Sequence, residues 1–426
     1  MKADIAVVGG GLAGFAAALR AAACGAHVVL LERDGSLGGN ATAANVHTLC
    51  GLYEDAQVGD AVHVHPGLPR AFAELLQRVG AARAPERAGR VWVLPTYPPR
   101  LHDVMVELCE HAPSLDLRLG CTLCGAAQRN SGFELTLEEQ GERRGLEVQG
   151  VIDASGDAAC AALAGAAVEE AAADAQQLPS LIFRLAGVEN AELDGFGRMR
   201  VTHAVAGAVR EGSLPEACAS VLVRPGEASD EVYITLNLPR FEDLDYVPLD
   251  PVNVAAYTDR ARDLAARVLD FLIATRPAFG KARPLPGPAR IGVRETRRIR
   301  GLETLGRDDI FEGRSRDDEV ARSSWPIELW QDHRRALFEH PKGPASIPLG
   351  ALISRTHPRL AAAGRCISAT HEAMGALRVL GTALATGEAA GVAMALAVGR
   401  GLPPAALPPA EICAHIREQS VPALAR

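Results

Sequence analysis

Long apolar runs are missing from this chain. Its most apolar stretch, "GVAMALAV", is too short to span a bilayer. A signal peptide is not expected either, because Asp4 interrupts the opening "MKADIAVVGGG" and glycines end its apolar run at once. There is no internal repeat and no low-complexity linker. A disulfide framework is also lacking: the nine cysteines are scattered and odd in number. Cys121 and Cys124 form C-x-x-C, but no second pair or His couple completes a zinc site, so a strand interior is expected there and no metal. Positive charge is in deficit, with 44 Lys+Arg against 52 Asp+Glu and a net charge of -8. That argues against bulk nucleic-acid binding, which rests on neutralising phosphates. With 426 residues, 48% hydrophobic and 23% charged, a soluble cytoplasmic protein is expected. Its length suits two or three domains, or one large domain carrying an inserted one.

Against these absences stands a dense N-terminal pattern. "ADIAVVGGGLAGFAAALRAAACGAHVVLLERD" outlines a βαβ unit. Ile5 to Val8 is a continuous apolar run, as in a strand buried on both faces. Gly9, Gly11 and Gly14 then spell G-x-G-x-x-G. The first glycine allows a tight turn, the second lets a pyrophosphate approach the backbone, and the third lets the helix lie close to the strand. Phe15 to Cys24 is alanine-rich and helical, with Gly25 placed to cap it. "HVVLLE" is the next strand, and Glu32 ends it 18 residues after Gly14. An acid there accepts hydrogen bonds from ribose hydroxyls and repels a ribose phosphate. The expected cofactor is therefore an unphosphorylated adenine dinucleotide, FAD or NAD.

The residues after Glu32 separate these two. Gly38-Gly39, then Asn40, Ala41 and Thr42, form a turn that presents N–H groups and a hydroxyl to a second phosphate or to the flavin side. With "ERDGSLGGNAT" the chain resembles the FAD-dependent oxidoreductases of the glutathione-reductase-like superfamily, and most closely the family described simply as FAD-dependent oxidoreductase. The resemblance continues through "VIDASGD", "PSLIFRL", "IGVRETRRIRG", "DDEVARSSWPIELW" and the late stretch "GRCISATHEAMGALRVLGTALATGEAAG", Gly364 to Gly391. It implies non-covalent FAD, held by Gly9, Gly11, Leu12, Ala13, Gly14, Glu32, Arg33, Gly38, Gly39, Asn40, Ala41, Thr42, Thr122, Ala154, Ser155, Gly156, Asp157, Gly364, Arg365, Gly381 and Thr382. Two positions depart from the usual pattern: Ser155 stands where Thr is common, and Arg365 where many relatives have Asp.

The fold expected is α/β: a Rossmann-like FAD-binding domain with a β-meander, plus an inserted α+β substrate or cap domain. The boundaries expected are 1–165 with 346–426 for the first and 166–345 for the second. "PRLHDVMVELCEHA" is an amphipathic helix, and "AAYTDRARDLAARVLDFLIATRP" is a helix that Pro277 stops. "PSLIFRLAG", "EVYITLNLP" and "GPARIGVRETRRIRGLETL" look like strands of a separate sheet. The last of these alternates, placing Arg294, Thr296, Arg298 and Arg300 on one face and Glu295, Arg297 and Ile299 on the other. After Gly364 a small-residue helix is expected to start between Ala376 and Leu380. The resemblance aims its N-terminus at the flavin.

Four residues are candidates for chemistry. His371, beside Glu372, is an acid/base candidate. Arg378, placed in the first turn of the late helix, opposes the dipole and suggests a bound anion. His47 lies in the region where some superfamily members bond a histidine to the flavin, but its spacing differs. Arg297 could face the flavin or an anionic substrate. The function expected is FAD-dependent hydride transfer from a small organic substrate to flavin N5, as a dehydrogenase or oxidase. The alternatives are a flavin monooxygenase and a non-catalytic FAD-binding accessory protein. A small molecule is the expected partner, with no nucleic acid and no membrane span. The oligomeric state stays open, a homodimer among the options.

Overall fold

A computed structural model describes residues 1–425 except 56–57, 288–289 and 419. The chain begins with the βαβ unit. Strand β1 (Lys2–Val8), helix α1 (Leu12–Ala23) and strand β2 (Val28–Glu32) follow in order, and β1 pairs with β2 in parallel from Ile5 opposite Val28 to Val8 opposite Leu31. Every residue of β2 is buried, as its unbroken apolar run requires. Strand β3 (Leu115–Leu119) adds to the outer side of β2, also in parallel.

The meander comes next: β4 (Cys121–Arg129), β5 (Gly132–Glu139) and β6 (Glu142–Asp153). In β5, Phe133, Leu135 and Leu137 are buried, the period of two of a half-buried strand. Strand β6 is 12 residues long and joins two kinds of sheet. Its first half is antiparallel to β5, and its second half runs parallel to β1, with Val8 opposite Asp153. The strand order is β3-β2-β1-β6-β5-β4.

Residues 180–291 build a second hydrophobic centre. Strands β7 (Ser180–Ala186), β8 (Val221–Pro225) and β9 (Val232–Asn237) form an antiparallel sheet in the order β8-β9-β7, with Arg283–Pro284 beyond β7. Helix α2 (Pro251–Thr275) covers it. The Asp250 side chain caps α2 by accepting from Val252 N. Tyr257, Ala261, Leu264, Val268 and Leu272 form its buried stripe. Leu305, Ile310, Val320, Ile327, Leu329, Ala345 and Ile347 instead share the core of Ile5 and Phe15. The protein is thus mixed α/β, a parallel Rossmann-like sheet with additional antiparallel sheets.

One expected strand is much shorter. Of "GVRETRRIRG" only β10 (Arg297–Ile299) forms a strand, paired with Val168–Glu170 outside the β7 sheet, while Gly292 touches that sheet through a single bridge to Ser180 and Gly301 bridges Ser354. Side-chain bonds override the alternation here. Arg294 reaches Asn237 Oδ1, Thr296 reaches the Gly156–Asp157 turn, and Glu295 pairs with Arg298, which alternation would put on the opposite face.

The chain returns to the first sheet as β11 (Leu360–Ala362), parallel to β6. Two helices follow instead of one, α3 (His371–Leu377) and α4 (Leu380–Gly399). The start of α4 agrees with the sequence reading, but the place of Arg378 does not. Val379 is extended (φ -71, ψ 154) and breaks the helix, so Arg378 is the C-cap of α3, where a cation suits the dipole. Glycines in α4 bring it against α1: a Cβ on Gly387 would lie 2.1 Å from Ala13 O, and one on Gly391 2.5 Å from Ala17 O. Helix α4 is long and apolar enough to cross a membrane, yet 94% of its apolar window is buried within the protein.

The same helix buries an acid. Glu388 is 2% exposed, with Arg20 Nε 3.3 Å away and Leu68 N donating at 3.0 Å. Burial, opposed by Arg20 and Leu68, pushes its carboxyl up to about 7 from 4.5. The folded state therefore holds a proton that the unfolded chain releases between those values, and this contribution to stability is lost as pH rises through that window. We expect about 2–4 kcal/mol of stability to disappear between pH 5 and 8 from this group. Glu388→Gln should flatten that slope in urea titrations, and an unchanged slope would assign the effect elsewhere.

Candidate active site

The first sheet ends at a glycine turn. Gly9 has φ +102, and a Cβ there would lie 2.5 Å from Ala154 O; one on Gly14 would lie 1.8 Å from Gly9 O. Gly11 differs, because a Cβ there would meet nothing within 4 Å. It is the N-cap of α1, no side chain caps it, and the first turn holds no acid. Open space in front of uncapped N–H groups is what a pyrophosphate needs, so these residues fit the dinucleotide. Gly38 N donates to Gly10 O at 2.8 Å, which sets the second glycine pair beside the first. Glu32 is 7% exposed; its Oε2 accepts from Gly10 N at 2.7 Å and its Oε1 from Asp34 N at 2.8 Å. Burial raises its carboxyl, and the two N–H groups pull it back.

Several expected contacts are turned elsewhere. Thr42 donates its single hydroxyl proton to Leu37 O at 2.7 Å, so it closes the turn and has no proton left for a phosphate. Asn40 Nδ2 donates to Val293 O at 2.9 Å, and Ala41 is fully buried. Arg33 is an exposed side chain 4.0 Å from Asp34. Thr122 is exposed at the start of β4, two residues past Gly120, whose N–H donates to Asp34 O at 3.0 Å; it stands beside the end of β2.

The turn after β6 and the Gly364 segment do come together. Arg365 donates to Gly156 O at 2.7 Å, to Val293 O, and to Asp157 Oδ1 at 2.9 Å. The carboxylate facing this turn therefore comes from Asp157, with Arg365 as its partner. Ser155 donates to the fully buried Asp153 at 2.6 Å and so braces the turn below Ala154. Gly364 (φ +65) and Gly381 serve backbone packing: Cβ atoms there would lie 2.9 Å from Ala13 Cβ and 2.5 Å from Gly51 C. Thr382, in the first turn of α4, is fully buried and its hydroxyl has no partner.

Two clusters of polar side chains stand at the ends of α3. Thr370 caps the helix through Ala373 N. His371 follows; its Nδ1 is 2.7 Å from Glu295 Oε2, while its buried Nε2 has no partner. Glu295 is fully buried, and its other oxygen is 2.5 Å from Arg298 NH1. The neighbour expected for His371, Glu372, is exposed instead. Arg378 NH2 donates to Glu328 O at 3.2 Å and lies 3.9 Å from Glu328 Oε1. Trp325 and Trp330 both donate indole N–H groups to that carboxylate, at 3.1 and 2.5 Å. Burial alone would raise the Glu328 carboxyl, but Arg378, Trp330 and Arg294 outweigh it and hold it below the usual range. Arg294 stacks over Trp330 at 4.7 Å. Burial, then Arg378, pushes its guanidinium down to about 9.

Two candidates fall outside these clusters. His47 is 4% exposed, stacked on Tyr233 at 4.0 Å, with Nδ1 3.0 Å from Asn45 O. Burial pushes it down to about 3, so it stays neutral and packs instead of exchanging protons. Arg297 donates to Asp157 O at 3.1 Å and fastens the turn. The sequence reading missed Glu295 as a partner for His371, and missed Glu328 with Trp330. One signal was available: the chain has only three tryptophans, and two of them flank Glu328.

A model of the FAD dependent oxidoreductase family matches residues 4–416, and the chain belongs to that family. It is an enzyme, and its cofactor is FAD. No curated protein matches the sequence. Among solved structures it is similar to a geranylgeranyl bacteriochlorophyll reductase-like protein from Thermoplasma acidophilum, at 13% identity and TM-score 0.49, covering 100% of this chain and 95% of the other. A p-nitrophenol 4-monooxygenase from Pseudomonas putida DLL-E4 gives 12% identity and TM-score 0.49 over 100% of this chain and 88% of that one.

Proposed function

We propose that the protein oxidises a small organic substrate by hydride transfer, as a dehydrogenase or oxidase, with His371 as the base and Arg378 as a substrate contact. The observation that carries this reading is the unpartnered, buried Nε2 of a histidine whose Nδ1 is anchored on a buried carboxylate. When bound, FAD supplies the hydride acceptor. His371 Nε2 then takes the proton from the substrate hydroxyl or amine while the adjacent carbon loses its hydride. Glu295 holds the Nδ1–H tautomer, which leaves the Nε2 lone pair free to accept. Glu295 is in turn fixed by Arg298.

The same reading gives the glycine turn, Glu32 and the Ala154–Asp157 turn to non-covalent FAD, and makes residues 166–345 the substrate or cap domain. That segment has its own hydrophobic centre between Leu181 and Ile291. Residues Leu305 to Ala345 lean on the nucleotide-binding core. The test is which reductant bleaches the flavin: an organic substrate alone supports hydride transfer, whereas a requirement for NADPH favours a monooxygenase.

A further inference from the structure

The cluster at the Arg378 end of α3 carries an unbalanced charge. Arg294 and Arg378 are two guanidiniums in one cluster, joined through Trp330 and Glu328. Glu328 is a carboxylate whose charge acts on Arg294 and which lies 3.9 Å from Arg378. Its oxygens already accept from Trp325 and Trp330. Arg294 donates to Leu178 O and Asn237 Oδ1, both neutral. Arg378 Nε is buried without a partner. Buried charges in folded proteins are paired, and an unpaired one is costly. Two further polar groups are buried without partners: the Tyr246 hydroxyl, which influences Arg294 electrostatically, and the Gln177 side chain, one residue before Leu178 in sequence.

The excess is one positive charge, so a monoanion balances it and a phosphate dianion would overshoot. The cluster is not sealed: the Arg378 and Glu328 side chains are 12% and 17% exposed. A guanidinium fork matches the two oxygens of a carboxylate. We infer that Arg294 and Arg378 bind the carboxylate of the substrate, which makes the substrate class small organic acids carrying the oxidisable hydroxyl or amine. This rests on the reading of the two clusters at the ends of α3 as the substrate side of the flavin site. His371 is the first residue of the seven-residue helix α3 and Arg378 is its C-cap, about 10 Å further along the axis.

The test is calorimetric titration of the oxidised, FAD-loaded protein with acetate and benzoate, and with acetamide and benzamide as neutral counterparts. At least one carboxylate should bind, with its amide about 10–100-fold weaker. Arg294→Met and Arg378→Met should each weaken that carboxylate by a similar factor while FAD stays bound. Arg378→Lys should recover part of the loss, and it serves as the reporter if the methionine variants fail to fold. The inference is overturned if no carboxylate binds, if acid and amide bind alike, or if the variants bind as wild type does. Variants that bind the acid normally but lower the flavin midpoint potential would mean that the charge serves the reduced flavin instead of a substrate. The hydride reading fails separately: it falls if carboxylates bind through the arginines yet no organic compound reduces the flavin.

Discussion

Replacing His371 by alanine slows substrate-dependent flavin reduction by about 10²–10⁴-fold, the range for a lost general base, while FAD remains bound. The side chain sits at the first residue of α3, on a helix capped by Thr370. It makes one polar contact, to Glu295. Removing it deletes a proton acceptor without touching the glycine turn at Gly9–Gly14, which is why cofactor retention should not change. Stopped-flow absorbance gives the reduction rate, and the FAD released on denaturation gives occupancy. A wild-type reduction rate in the variant would remove His371 from the chemistry.

Glu295→Ala costs about 3–5 kcal/mol of stability, the penalty for breaking a buried ion pair from one side. Glu295 is fully buried, Arg298 is 1% exposed, and they are 2.5 Å apart. Without the carboxylate, Arg298 is left as a buried cation. The double variant Glu295→Leu with Arg298→Met removes both charges and should recover most of the stability. It should not recover turnover, because His371 Nδ1 still lacks its acceptor. Urea unfolding and steady-state kinetics of the single and double variants separate these effects. A single variant as stable as wild type would show that the pair is not a buried, coupled unit.

The glycine turn of the first βαβ unit was legible because one contiguous stretch builds it. A backbone that cradles phosphate needs glycine at fixed intervals, so Gly9, Gly11 and Gly14 announce themselves, and Glu32 follows at the end of the next strand. The clusters at the ends of α3 were not legible, because their parts are far apart in sequence. Glu295 and His371 are 76 residues apart, and Arg294 and Arg378 meet around Glu328 on a third segment. Local pattern also misled. Alternation over Arg294–Arg300 suggested a strand, but tertiary side-chain bonds decide those conformations. Arg378 was assigned to the longer helix because the break falls at Val379, an apolar residue that carries no Gly or Pro signal. Thr42 looked like a phosphate donor by position, and only its 2.7 Å bond to Leu37 O shows that its proton is committed.

The most direct test of hydride transfer from a substrate is anaerobic mixing of the FAD-loaded protein with hydroxy acids, amino acids, alcohols and amines, with no pyridine nucleotide present. The account predicts that at least one hydroxy or amino acid abolishes the visible flavin absorbance and leaves the corresponding oxidised product, and that His371→Ala slows that bleaching. An absorbance that survives every compound and disappears only when NADPH is added would contradict it.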